Sequence, residues 1–217
     1  MKDIAVFGAG GFGREVACLI RIINESKEEP IWNFIGFFDD NADLKGKEIS
    51  HFGKCLGGKD ELNQWDKDLD IVLAIGSTTV VQNVYSLLNN EHLNYPNLIH
   101  PNFNIVDKDG FKIGNGNIIQ GECTVSCDVT IGDFNVFNGS VVIGHDVIIG
   151  NNNIFMPAIR VSGGVTVGNG NFFGVGSIIL QKLKIGNNIR LGAGSVMMTK
   201  PKDGNLYMGN PAKKVIF

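Results

Sequence analysis

Tryptophan, cysteine and proline are sparse in this 217-residue chain, at two, four and six residues. Glycine is abundant without collagen's composition, so a triple helix is excluded. The four cysteines (Cys18, Cys55, Cys123, Cys127) follow no secretory leader and read as reduced thiols, not a disulfide frame. Neither they nor the four histidines have zinc-ligand spacing, so no metal is expected. No apolar run approaches eighteen residues, and Met1-Lys2-Asp3-Ile4 lacks the length and pattern of a signal peptide. A cytoplasmic protein without membrane insertion is the expectation. Positive charge is also lacking: a net charge of -3 and a pI near 5.8 leave no footprint for nucleic acid. What is present is 43% hydrophobic and 19% charged residues, enough apolar surface for a packed interior. The length suits one ordinary domain or two small ones.

Glycine, at 29 residues, is about twice its usual share. Such an excess calls for a repeat or a glycine-rich loop, and the chain has both. Asp3 to Phe7 reads as a strand, followed at once by Gly8-Ala9-Gly10-Gly11-Phe12-Gly13. An amphipathic stretch from Arg14 to Asn24 carries Val16, Leu19, Ile20 and Ile23 at helical spacing. Strands are then expected at Ile31 to Phe38, ending in Asp39-Asp40, at Asp70 to Ile75 and at Asn97 to His100, with a helix from Val80 to Leu93. Alternating strands and helices imply a parallel sheet with crossover helices, here an α/β half-Rossmann domain over 1–100.

Beyond Pro101 the helical period gives way to another. Steps of six from Ile113 land on Ile119, Val125, Ile131, Phe137, Ile143 and so on to Met197, fifteen positions that are all apolar. At 43% hydrophobic content the chance of this is about three in a million. Every third member precedes glycine, as in Ile131-Gly132 and Ile149-Gly150, so the unit is three hexads. This is the signature of a parallel β-helix, three short strands to a coil, over 101–200. The repeated aliphatics point inward, smaller residues two positions earlier form a second inward layer, and Gly and Asn are expected at turns needing positive φ. Coils should stack about 4.8 Å apart. Residues 201–217 would form a tail that caps the last coil's open strand edge.

The run of Ile-Gly-Asn/Asp units resembles the left-handed β-helix acyltransferases of the hexapeptide-repeat superfamily, and left-handedness is implied by that resemblance alone. Gly8 to Val16, Phe38-Asp39-Asp40, Ala74-Ile75-Gly76, Ile99-His100-Pro101, Gly144-His145-Asp146 and Gly209-Asn210-Pro211-Ala212-Lys213 follow one another as in a particular branch. That branch comprises the bacterial sialic acid O-acetyltransferases and nucleotide-4-amino-sugar N-acetyltransferases. The resemblance implies an acetyl-CoA-dependent sugar acetyltransferase of surface-glycan synthesis, working as a homotrimer by direct transfer in a ternary complex. It implies His145 as the general base, in a Gly-His-Asp step. It places the nucleotide-sugar at Gly10, Gly11, Phe12, Asp39, Asp40, Gly76 and Thr79, and the acetyl-CoA contacts at Ile154, Gly163, Val175 and Ala193. The family usually has histidine at the position of Phe12 and often a basic residue near Gln82, departures that bear on which sugar or nucleotide is bound.

The residues themselves carry part of this reading. His145 lies two positions after the inward Ile143 and should leave a turn toward solvent. Its column holds Cys127 one coil below, Gly163 one above and Gln181 two above. Gly163 would clear space beside the imidazole and offer a backbone N–H to an oxyanion, or simply form a turn with Gly164. Imidazole, with an unperturbed pKa near 6.5, suits a base at neutral pH, and Asp146 would fix its tautomer unless it is a solvated turn residue. Cys127 admits a rival route through an acetyl-cysteine. The Gly8-x-Gly10-x-x-Gly13 loop and Asp39-Asp40 taken alone point to NAD, but the chain supplies no hydride-transfer domain. A non-catalytic nucleotide-sugar-binding scaffold is the other alternative. His51 and His92 are expected at the surface without companions.

Overall fold

The computed structural model describes residues 1–216 and forms two compact units, Met1–Pro101 and a second beginning at Asn102. The first contains β1 (Lys2–Phe7), α1 (Gly11–Glu25), β2 (Trp32–Phe38), β3 (Cys55–Gly57), α2 (Lys59–Asn63), β4 (Leu69–Leu73), α3 (Thr78–Leu87) and β5 (Leu93–Asn94). The strands make a parallel sheet in the order β3-β2-β1-β4-β5. Ile4, Ala5, Val6 and Phe7 are all buried, as a central parallel strand covered on both faces requires. Val16, Ala17, Leu19, Ile20 and Ile23 form the buried face of α1.

Two helix boundaries differ from the sequence expectation, each for a local reason. Helix α1 starts at Gly11 because Gly13, wound against the Gly8 carbonyl with no room for a Cβ, belongs to its first turn. Helix α3 stops at Leu87, well short of Leu93. There the Asn63 amide donates to the Leu87 carbonyl at 3.0 Å and its oxygen accepts from Asn89 N–H at 3.0 Å. The chain then turns, and Leu93 pairs with Leu69 in the sheet. The short β3–α2 segment had no periodic signal.

From Asn102 the chain winds into the left-handed parallel β-helix. One face carries strands at Thr124–Val125, Val142–Ile143, Arg160–Val161, Ile178–Ile179 and Val196–Met197, a second those from Thr130–Ile131 to Lys184–Ile185, and a third those from Ile118–Ile119 to Arg190–Leu191. Each pairs in register with the strand eighteen residues on, as Thr124↔Val142↔Arg160. The inward ladders are sealed: Phe137, Phe155 and Phe173 stack with ring centroids 4.7 and 4.8 Å apart. Ile113, in the first coil, is only half-buried. Cys123 is part of the inner layer, and burial pushes its thiol up to about 11.

The glycines divide into two kinds. Every sixth residue from Gly116 to Gly194 has positive φ, one at each corner, whether glycine or not. Gly114, Gly132, Gly150, Gly168 and Gly186 do not, which corrects the expectation that the repeat's glycines serve positive φ. They lack a side chain because the Asp or Asn oxygen of the next coil occupies the space a Cβ would need: Asp133 over Gly114, Asn151 over Gly132, Asn169 over Gly150. Those oxygens accept backbone N–H groups of the coil below, as Asn169 Oδ1 does from Asn151 N–H at 2.7 Å. Inside the same edge a second ladder, Asn117, Asn135, Asn153 and Asn171, is fully buried. In the tail, Leu206–Met208 runs parallel to Arg190–Leu191, and Lys213–Lys214 folds back antiparallel on it.

Candidate functional site

The corner joining the first and second faces of the β-helix holds 144–147, with 126–129 below and 162–165 above. Gly164 N–H donates to the His145 carbonyl at 2.8 Å and Asp146 N–H to the Cys127 carbonyl at 3.0 Å, so the three corners are in step. His145 and Asp146 side chains are 62% and 65% exposed, which puts both in solvent's reach. Asp146 takes the corner's positive φ, 55°, a conformation Asp tolerates better than most residues. Its Oδ2 lies 2.7 Å from His145 Nδ1. A carboxylate only accepts, so Nδ1 carries the proton and Nε2 presents a lone pair.

The other face of the ring rests on Gly163. A Cβ there would fall 2.6 Å from Cε1 and 2.8 Å from Cδ2, and closer still to Nε2. Gly144 is equally constrained, since its Cβ would sit 2.7 Å from the Gly163 nitrogen. Cys127, one coil down, is half-buried, with Ser126 Oγ at 4.0 Å.

The remaining β-helix candidates lie elsewhere. Val175 and Ala193 stack on the corner between the third and first faces, where Gly194 N–H donates to the Val175 carbonyl at 2.8 Å. Val175 is exposed, whereas Ile154 on the third face is only 4% exposed. Burial thus leaves little of the Ile154 side chain at the surface of the protomer.

In the first unit the candidates converge at the carboxyl ends of β1, β2 and β4. The sheet order reverses between β1 and β4, which lead into α1 and α3, and an open α/β sheet binds ligands at such a reversal. Neither α1 nor α3 has a side-chain cap or a first-turn acid, so their N-terminal amides are free of a competing carboxylate. Gly8 and Gly13 are glycines for packing, against the Ala74 and Gly8 carbonyls. Gly10 and Gly76 meet nothing within 4 Å, and Gly11 only the Arg14 guanidinium at 4.0 Å. Their missing side chains leave open space above the backbone. Thr79 is exposed and Phe12 half-buried.

Asp39 and Asp40 are more committed than their sequence position suggests. Asp39 accepts from Ala9 N–H at 2.8 Å and Asn41 N–H at 2.9 Å, and thereby clamps the glycine loop to β2. Asp40 accepts from Lys59 N–H at 2.9 Å, with the ammonium 3.7 Å away. Each carboxylate has about four lone-pair sites, so acceptor capacity remains. His92 does have a companion, contrary to expectation, in Asp68 at 3.0 Å. His51 stacks on Phe52 with centroids 4.1 Å apart. A cavity of about 500 Å³ beside the carboxyl-terminal half of α1 contains none of the candidate residues. Sequence reasoning missed the second free helix terminus, at Ser77-Thr78; the short Gly-Ser turn after β4 was the available signal.

No helix among the described residues is long and apolar enough to cross a membrane. Residues 3–88 match the family model described as the PglD N-terminal domain. No curated protein matches the chain. Among solved structures, the acetyltransferase domain of PglB from Neisseria gonorrhoeae in complex with acetyl coenzyme A is 25% identical, with a TM-score of 0.83 over 99% of both chains. PerB from Caulobacter crescentus, solved with CoA and GDP-perosamine, is similar in fold at 24% identity and a TM-score of 0.85 over 99% of this chain and 98% of that one. WeeI from Acinetobacter baumannii AYE is likewise 24% identical, with a TM-score of 0.85 over 99% of this chain and 100% of its own. Residues 3–88 thus form a PglD-type N-terminal domain, and the chain along its whole length shares the fold of these solved acetyltransferase structures.

Proposed function

We propose that the protein transfers the acetyl group of acetyl-CoA to an amino or hydroxyl group of a nucleotide-linked sugar, with a 4-amino sugar the favoured acceptor. The observation that carries this reading is the exposed imidazole whose Nδ1 is held by Asp146 and whose Nε2 lies over a residue without a side chain. Nε2 takes a proton from the sugar amine as its nitrogen attacks the thioester carbonyl carbon. The C–S bond then breaks, and the imidazolium returns the proton to the leaving thiolate. The products are the amide and free CoA. Asp146 orients the ring and stabilises the transient imidazolium. Gly163 admits the thioester to the ring, and its N–H, which meets no backbone carbonyl among the described residues, is placed to receive the developing oxyanion. Cys127 forms no intermediate in this scheme. The amino-terminal unit holds the nucleotide: the α1 and α3 amides take the diphosphate, with Gly10, Gly11 and Gly76 allowing close approach. Phe12 and Thr79 line the same site, and the spare lone pairs of Asp39 and Asp40 accept from the nucleoside.

Gly163 lies on one corner, and Val175 and Ala193 on another, with a strand face between them. Side-by-side packing of a second prism would bring its corner alongside, and a homotrimer supplies that packing to each copy. The site is then incomplete in a monomer. A cytoplasmic location follows from the use of acetyl-CoA and nucleotide-sugars.

The test is incubation with acetyl-CoA and a panel of nucleotide-linked amino and hydroxy sugars, with free thiol measured; no release with any acceptor would overturn the reading. Two variants probe the geometry. Gly163→Ala forces the ring aside and should lower kcat about 100-fold, since displacement by about 1 Å costs that much. Asp146→Asn keeps a corner-tolerant residue and an acceptor but removes the charge, and should lower kcat/KM about tenfold with Tm unchanged. An undiminished rate in either variant would refute the role assigned to that residue.

A further inference from the structure

The donor's phosphates need positive charge, and charge is distributed unevenly along this chain. From residue 147 to 202 there is no aspartate or glutamate, while Arg160, Lys182, Lys184, Arg190, Lys200 and Lys202 are all present. The upper coils are therefore cationic in a protein of net charge -3. The structure separates these cations by position. Arg160 is tied to the Ser140 and Ile159 carbonyls, and Arg190 lies over the Phe172 ring at 5.3 Å. Lys184 stands on the second face, and Lys200 and Lys202 follow where the chain leaves the last coil.

Lys182 alone belongs to the corner that carries the imidazole. Its N–H donates to the Gly163 carbonyl at 3.0 Å, which stacks it in the column of Asp146 and Gly164, two coils above Asp146. Its Cγ lies 3.3 Å from where a Gly164 Cβ would be, so the stem runs over the bare glycine. The Gly163-Gly164 step thus leaves a strip without side chains between the imidazole and the lysine stem. The backbone at Lys182 has φ 61°, a conformation that glycine adopts freely and a long side chain does not. The ammonium has no carboxylate within ion-pair distance among the described residues.

We propose that Lys182 binds the phosphates of the acetyl-CoA donor, whose thioester arm lies along the Gly163-Gly164 strip. This rests on the acetyl-CoA reading above and adds to it the group that recognises the donor's charged end. Lys182 is a binding residue with no part in the proton transfers, so its removal should weaken the donor without altering the chemistry.

The experiment replaces Lys182 with glycine, which relaxes the corner, so the fold is retained with a Tm equal to or above that of the parent. CoA binding is measured by calorimetry on both proteins, and turnover is measured with acetyl-CoA and with acetyl-pantetheine, which lacks the diphosphate and 3′-phosphate. The expected result is about tenfold weaker CoA binding and a similar rise in KM for acetyl-CoA, as for one charge-assisted contact. With kcat and acetyl-pantetheine turnover unchanged, Lys182→Arg should restore most of the loss. Equal CoA binding by parent and variant overturns the assignment, and an equal loss with acetyl-pantetheine overturns it as well by moving Lys182 to the reacting atoms. No CoA binding by the parent would instead overturn the acetyl-CoA reading itself, together with the assignment that rests on it.

Discussion

His145→Ala should lower kcat for acetyl transfer by a factor of about 10²–10⁴, the range that a positioned general base contributes. The side chain is 62% exposed and packs against a glycine, so its loss opens no core cavity and Tm should hold. The donor is held by contacts other than the imidazole, and KM for acetyl-CoA should therefore change little. A fall in kcat at constant donor KM marks an interaction made in the transition state. Steady-state kinetics on the pure variant, with CoA affinity measured in parallel, tests this directly. Turnover within a factor of a few of the parent would remove His145 from the mechanism.

Asn153→Leu should destabilise the β-helix by about 3–5 kcal/mol, since three buried polar groups lose their partners at roughly 1–3 kcal/mol each. Asn153 Nδ2 donates to Asn135 Oδ1 and to the Gly168 carbonyl, both at 2.9 Å. Its Oδ1 accepts from the Asn171 N–H and from Asn171 Nδ2, again at 2.9 Å. Leucine has similar volume and leaves no cavity, yet the Gly168 carbonyl, the Asn171 N–H and one of the two Asn171 Nδ2 protons lose their partners in a site closed to water, while Nδ2 keeps its bond to the Gly186 carbonyl at 3.0 Å. The ladder runs from Asn117 to Asn171 and ends where Asn171 Oδ1 receives the Ile189 N–H at 2.8 Å. Each coil relies on its neighbours, so a fault in the middle loosens both sides. Chemical denaturation followed on the β-helix transition measures the effect. A loss below about 1 kcal/mol would mean that water or a shifted backbone satisfies these groups.

The repeat was legible because a β-helix is nearly one-dimensional. The residue at i meets the one at i+18, so Phe137, Phe155 and Phe173 could be stacked by counting, and the measured ring spacing of 4.7 and 4.8 Å agrees with a sheet's inter-strand distance. Counting also set Gly163 directly above His145. In the first unit β1, β2 and β4 could be read as short runs rich in apolar residues, whereas β3 carried no periodic signal, β5 began at the end of the expected helix, and the strand expected at 97–100 is not part of this sheet.

What escaped the sequence depends on contacts that no period encodes. Residues 132 and 150 needed to be glycine because the carboxamides of Asn151 and Asn169 reach down a coil, and which rotamer an asparagine takes is settled only by its neighbours. The end of α3 was decided by Asn63, 24 residues upstream of the carbonyl that it caps. Asp39 accepts from Ala9, thirty residues earlier, a pairing that exists only once β1 and β2 lie side by side. Local pattern and spacing specified the coils and the column that carries the imidazole. Hydrogen bonds between distant segments settled which carboxylates are occupied and which glycines stand open, because those bonds form only after the chain has brought their partners together.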